Sequence, residues 1–349
     1  MTVLKRAHQE LFRRGPDECF DSLQALAKRC LEQKEQSTDR WLAPRELKPQ
    51  AARSDLLAVQ LNGSGEFQMN DWSFTQLCQL EKVSKDTVNR LNPATARQVF
   101  DETLPGGNKP LQIFTEGQQI RSIHGVSYTR LHNSDLLAML QEFAVDFQPP
   151  QKAAFGGKDD SGATGLYAGE QDFFAFLIDP TGWAEIDGQA FAPGFFVWNS
   201  EVGKRSLGIE TFWFQAVCQN HIVWDAVEVV EFTRKHTASV YDSLAEMRQI
   251  VEQLVNKRDE RKDGFVRVIR KAMETQLGTD AEEVMKVITP HGIPRSVAKE
   301  ALEIAKEQGR FTIFSVVDAL TRLAGESKFA GDRTEADRQA ARLLELAAT

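Results

Sequence analysis

GFFVWNSEVGKRSLGIETFWFQAVCQNHIV, residues 194–223, is the stretch on which the fold turns. Two apolar, aromatic-rich runs flank the polar turn Asn199-Ser200-Glu201-Val202-Gly203. Runs of this kind suit β-strands, so the segment predicts a β-hairpin. Its rings, Phe195, Phe196, Trp198, Phe212, Trp213 and Phe214, then build a core, because aromatics dominate cores by the area they bury. The same residues admit a second reading. With Lys204 and Arg205 in the turn they resemble a stacking platform beside a basic loop, the arrangement that single-strand binders use.

Working outward, Leu111 to Thr115, Gln119 to His124, Phe173 to Ile178 and Ile222 to Val230 suit further strands, as do Asp55 to Leu61 and Glu66 to Met69 around Asn62-Gly63. Short helices are predicted from Ser73, from Ser84, after Asn92-Pro93 and from Ser134 to Phe143. Phe20, Leu23, Leu26, Ala27, Cys30 and Leu31 fall at helical spacing, which predicts a helix over 17–34. STDRWLAPRELKP after it reads as an irregular connector, since Pro44 and Pro49 block a long helix. Residues 148–170 are glycine-rich and carry Pro149 and Pro150, so they read as a long loop. From His236 onward the apolar spacing is helical to the end. The expectation is an α+β fold: a mostly antiparallel central sheet covered by short helices, with a C-terminal helical subdomain. Residues 1–50 would be a helical arm for packing on a second copy, 51–240 the α+β core and 241–349 the helical subdomain.

Composition limits the function classes. The chain has 349 residues, 42% hydrophobic and 26% charged, within ordinary globular usage. No apolar run approaches the length of a membrane span, and the basic N-terminus has no apolar core behind it. Four scattered cysteines (Cys19, Cys30, Cys78, Cys218) are no disulfide framework. These features predict a cytoplasmic protein with reduced thiols and no membrane partner. The formal net charge is -8. Residues 119–240 hold 8 basic and 15 acidic residues, a net of -7. An acidic middle weighs against a broad DNA-binding face, although fields act locally over a Debye length of about 8 Å.

Three basic spots remain as candidates for phosphate contact: Arg121 and Arg130 with Tyr128 able to stack on a base, Lys204 with Arg205, and Arg234 with Lys235. The ordinary alternative is satisfied polar residues and solvated turns. Cys218 and His221, three apart, with His236 beyond, could form a thiol site if a base depressed the thiol pKa. Strand alternation instead puts Cys218 on one face with Phe212, Phe214 and Ala216, which favours a core role. A zinc site needs four clustered ligands, and one Cys–His pair does not supply them. No phosphate-binding loop, dinucleotide fingerprint or hydrolase motif is present, so neither metal nor cofactor is expected.

NSEVGKRSLGIETFWFQAVCQNHIV (199–223), TRKHT (233–237), EQGRFTIFSVVDALTRLA (307–324) and IRSIHGVSYTRLHNSDLLAML (120–140) together resemble the phage/plasmid-like family called domain of unknown function 932. The resemblance spans most of residues 55–325. The family usually has glycine after the asparagine at 220, where this chain has His221. The family has no firmly assigned activity, so the resemblance implies a mobile-element context rather than a reaction. The leading expectation is a non-enzymatic protein of DNA metabolism or recombination that binds nucleic acid, single-stranded DNA in particular, with homo-oligomers supplying a continuous groove. The rivals are a self-assembling or protein-interaction protein without nucleic-acid affinity, and a thiol enzyme.

Overall fold

The computed structural model describes residues 19–51, 57–150, 165–215, 223–224, 231–307, 309–326, 343–344 and 346–347. Their elements form the expected α+β fold with helices at the C-terminal end, and the strands are shared between two sheets.

The first sheet contains β1 (Ser37–Leu42), β2 (Leu47–Ala51), β3 (Leu57–Leu61), β4 (Gly65–Met69), β5 (Leu111–Glu116) and β6 (Gln119–Gly125), in the order β1-β5-β6-β4-β3-β2. Its pairings are antiparallel except β4 with β6. α1 (Leu23–Glu35) precedes it; Ser22 caps that helix by accepting from the Ala25 N–H. α2 (Asp71–Leu80), α3 (Lys85–Val88) and α4 (Pro93–Thr103) connect β4 to β5. Leu77, Cys78 and Phe100 from these helices share a core with Val59, Phe67, Ile113 and Ile120 of the sheet.

The connector expected at 37–49 is instead the two strands β1 and β2. Both prolines fit without breaking a ladder. Pro49 lies on β2, at the sheet edge, where a missing N–H costs little. Pro44 occupies the first position of a 3₁₀ turn, Pro44–Glu46. Residues 19–50 are also not a free arm. α1 buries Leu26 and Cys30 in the main core, and β1 is a full member of the first sheet.

The second sheet runs β12-β11-β10-β8-β7, from Val223–Trp224, Leu207–Gln215, Gln189–Asn199, Phe173–Ile178 and Leu166–Ala168 respectively. β9 (Ala184–Ile186) pairs with β10, and β13 (Glu231–Arg234) pairs with β11. β8 reads FFAFLI and is buried throughout, as a continuous apolar run requires of a strand covered on both faces. One face sets Phe173, Leu177, Phe195, Val197 and Ile209 against α1, α5 (Asn133–Phe143) and α6 (Asp242–Asn256). The other gathers Phe174, Phe176, Phe196, Trp198, Phe212 and Phe214 into an aromatic cluster.

At the far end of the hairpin, Trp213 stacks on Phe265 with centroids 3.9 Å apart, and Phe191 meets the same ring edge-on. Phe265 belongs to α7 (Arg258–Glu274), which with α8 (Ala281–Ile288), α9 (Arg295–Glu307) and α10 (Ile313–Glu326) encloses a core of its own. The C-terminal helices are therefore anchored to the sheet through these two strand aromatics together with Ala184 and Ile186 of β9. α6, in contrast, packs Met247 and Val251 into the core beside α1 and α5.

Candidate functional site

The hairpin of residues 194–223 forms as expected over its described part, and its rings are interior. Phe195, Phe196, Trp198, Phe212, Trp213 and Phe214 are each at most 2% exposed. The stacking-platform reading of these aromatics fails on that burial: a base needs an open ring face, and these faces meet each other. Phe176 and Phe196, for example, stack at 4.9 Å.

The turn between β10 and β11 is a polar hub buried where the two sheets meet. Gly203 holds φ +72, and a Cβ there would come within 2.6 Å of the His124 ring, so both conformation and space call for glycine. Glu201 is 2% exposed. Its Oε2 lies 2.8 Å from Arg121 Nη1, and its Oε1 accepts from the backbone N–H of Asn133 at 2.8 Å. Asn133 opens α5, whose N-cap residue His132 makes no side-chain cap, so Glu201 supplies the missing acceptor from another element. Burial pushes the Glu201 pKa up, but His132, Arg121 and the Asn133 N–H together outweigh it and hold it at about 2. His132 Nδ1 is 3.4 Å away, longer than a good hydrogen bond, so Arg121 and the N–H are the firmer partners.

Surrounding groups bind the turn's backbone. Tyr128 Oη donates to the Glu201 carbonyl at 3.0 Å, Arg130 Nη1 donates to the same oxygen, and Trp72 Nε1 donates to the Val202 carbonyl at 2.7 Å. Asn199 Nδ2 donates to the Leu131 carbonyl and to Asn133 Oδ1. Arg130 also holds Asp39 of β1 in a two-pronged pair and lies over the Phe114 ring at 3.5 Å.

These contacts decide the fate of the sequence candidates. Arg121 and Arg130, 3% and 5% exposed, are committed to Glu201, Glu116 and Asp39, so the expected phosphate contact by this pair is corrected. Tyr128 stacks on His124 at 3.7 Å, has the His236 ring at 5.3 Å and spends its hydroxyl on the Ser200 and Glu201 carbonyls, so it is built into the hub rather than offered to a base. The other four candidates come together. β11 begins at Leu207, which pairs with Arg234, the last residue of antiparallel β13. Lys204 and Arg205 therefore lead into the same end of the sheet at which Arg234 and Lys235 lead out. Lys204 and Lys235 are exposed. Lys204 Nζ sits over the Trp72 ring at 4.4 Å. Arg205 pairs with Asp172, and Arg234 pairs with both carboxylate oxygens of Glu246.

Beside this corner lies a polar cleft of about 470 Å³, lined by α1, the β5–β6 turn and the β7–β8 turn. Sequence reasoning missed it because its residues come from segments scattered along the chain. It also missed the role of Glu201, although a carboxylate between two aromatic strands is a signal that its charge must be paired.

Burial pushes the thiols of Cys30 and Cys78 up, to about 12 and about 11, which marks both as core groups rather than nucleophiles. Cys218 and His221 of the conjectured thiol site lie outside the described residues, and His236 is engaged with Tyr128. Among the described residues, no group of three or more His, Cys, Asp or Glu side chains could hold a metal ion, and no helix is long and apolar enough to cross a membrane.

Fold and site together define an α+β protein of two sheets pinned by a buried ion-pair hub, with a basic corner and a polar cleft beside it. No family model, no curated protein and no solved structure matches the chain.

Proposed function

We propose that this protein binds nucleic acid without catalysis, gripping the phosphates of a single strand at the corner formed by Lys204, Arg205, Arg234 and Lys235. The observation that supports this reading is the β11–β13 pairing, which aligns two basic pairs 30 residues apart in the chain at one end of a sheet. Two of the four charges lean on Asp172 and Glu246. The Arg234–Glu246 pair is exposed and worth no more than about 1 kcal/mol, so a phosphate can take over that arginine cheaply, while Asp172, 12% exposed, holds Arg205 more firmly. The mobile-element setting rests on the resemblance of residues 199–223 and the other quoted stretches to the phage/plasmid-like family.

The reading predicts a small electrostatic footprint. Engagement of two to four phosphates gives a slope of log affinity against log salt of about -1.4 to -2.8 for a single strand. That corresponds to a loss of about 7- to 50-fold between about 50 and 200 mM salt. Fluorescence anisotropy with labelled single- and double-stranded oligonucleotides measures this directly. Lys204→Glu with Lys235→Glu should abolish binding while lowering stability by no more than the lost Lys204–Trp72 contact, about 0.5–1 kcal/mol, since both side chains are exposed. Absence of binding at low salt, or an unaltered affinity in the double variant, would overturn the proposal and favour assembly with protein partners.

A further inference from the structure

From the composition of the cleft we infer that it is a site for a single unstacked nucleobase, a reading that rests on and deepens the strand-binding function. Four carboxamides, those of Gln33, Gln36, Asn70 and Gln119, line it. A carboxamide presents a donor and an acceptor in one plane; Gln33 Nε2 and Asn70 Oδ1 are already engaged, so Gln36 and Gln119 are the two that can match the edge of a base with two hydrogen bonds. Asn70 is 8% exposed; its Oδ1 caps α2 by accepting from the Ser73 N–H, and its Nδ2 is buried without a hydrogen-bond partner. A buried donor left unmatched is costly; Nδ2 is sealed from the open cleft, so a ligand acceptor would meet it only through a small shift of the Asn70 amide.

The charges of the cleft select against an anion. Glu116 and Glu170 line it, and Arg121 at its floor is already held by Glu116 and Glu201. Gln33 Nε2 donates to Glu116 Oε2 at 2.9 Å, which fixes that carboxylate in place. A phosphate would be repelled by two carboxylates there, whereas a neutral base carries no charge for them to repel. Arg29, exposed on α1, contributes the one planar cation at the rim, and a guanidinium plane can stack on a base. The volume, about 470 Å³, falls within the range of small-molecule sites.

The cleft and the basic corner are the two sides of one turn. Arg121 Nη2 donates to the Glu170 carbonyl on the cleft side, while Asp172 pairs with Arg205 on the corner side. Residues two apart span at most about 7 Å. That adjacency of Glu170 and Asp172 suits a strand held by its phosphates at the corner with a base in the cleft, the backbone contacts positioning the strand and the cleft contacts specifying the base.

Free nucleosides test the cleft apart from the corner, because they carry no phosphate. The four common nucleosides would be titrated into the full chain by calorimetry and by ligand-observed saturation-transfer NMR. At least one should bind saturably, and Gln36→Ala with Gln119→Ala should weaken it at least tenfold while circular dichroism and the melting temperature hold. The Lys204→Glu/Lys235→Glu variant should bind the nucleoside as the unaltered protein does. No saturable nucleoside binding, or equal binding by the Gln36→Ala/Gln119→Ala variant, would overturn the assignment. Nucleoside binding that depends on the cleft, together with no oligonucleotide binding, would sustain the cleft and remove the strand reading. Oligonucleotide binding that depends on the lysines, with no nucleoside binding, would do the reverse.

Discussion

Glu201 shows how much one side chain can carry. It neutralises Arg121, caps α5 and lies in a turn whose backbone is held by Tyr128, Arg130 and Trp72. Breaking a buried ion pair by removing one partner costs about 3–5 kcal/mol, because the other charge is left in a low dielectric. Arg121 keeps Glu116 as a second partner, so the lower end of that range applies. Glu201→Gln is expected to lose about 3 kcal/mol in urea unfolding at pH 7. A loss below about 1 kcal/mol would show that the hub is not what joins the sheets. The charge of Glu201 is plain in the sequence. Its partners are not, since Arg121 and Asn133 lie 80 and 68 residues away.

At the scale of the element, the β10–β11 hairpin owes its packing to a large–small pair across its strands. Trp198 stands opposite Gly208, and the indole lies over the glycine, where a Cβ would come within 2.1 Å of the ring. Gly208→Ala is expected to push the indole out of its place in the aromatic cluster and to cost about 1–3 kcal/mol, the usual cost of overpacking. Thermal unfolding followed by the change in tryptophan fluorescence would register both effects; an unchanged melting temperature would contradict them. The hairpin was legible because aromatic and β-branched residues alternate around one polar turn. β1 and β2 were not, because two prolines mask them: Pro44 falls in the 3₁₀ turn between the strands, and Pro49 lies on β2, whose place at the sheet edge makes it tolerable. Only the neighbouring strands reveal that place.

For the whole molecule, the junction of the two sheets sets the response to acid. His124 and His236 both pack against the Tyr128 ring beside the hub. Burial, and then the nearby Arg130 guanidinium, holds His124 at about 3. Burial likewise holds His236 at about 4, against the partial opposition of backbone contacts. Unfolded, each takes up a proton near pH 6.5. Below that pH the unfolded chain binds more protons than the folded one, so stability falls as pH drops from about 6.5 toward 4. The slope is at most about 1.4 kcal/mol per pH unit for each histidine. Glu201, lowered from 4.5 to about 2, adds a further loss below pH 4.5. Burial raises Glu81 to about 7, so the folded chain takes up that proton first and offsets about one histidine's share of the loss between pH 7 and 4.5. Urea midpoints measured from pH 7.5 to 4.5 should still decline below 6.5, by about the share of the remaining histidine. His236→Phe, which keeps a ring against Tyr128, should flatten most of that net decline, and an identical acid profile in the variant would sink the account.

By itself the sequence determined the α+β class, the aromatic hairpin, most of the helices and the four basic residues at positions 204, 205, 234 and 235. Each of these is a local property: apolar periodicity, turn residues or charge, readable within a short window. Tertiary structure alone decided which charges face outward and which are sealed between carboxylates. Arg121 and Arg130 carry the same charge as Arg205 and Arg234, and only the packing of the first sheet against the 200–206 turn buries one pair and leaves the other at the rim. The cleft belongs to the same category, because its carboxamides come from α1, the start of α2 and the β5–β6 turn. Burial and convergence depend on contacts between distant parts of the chain, and no local pattern encodes them.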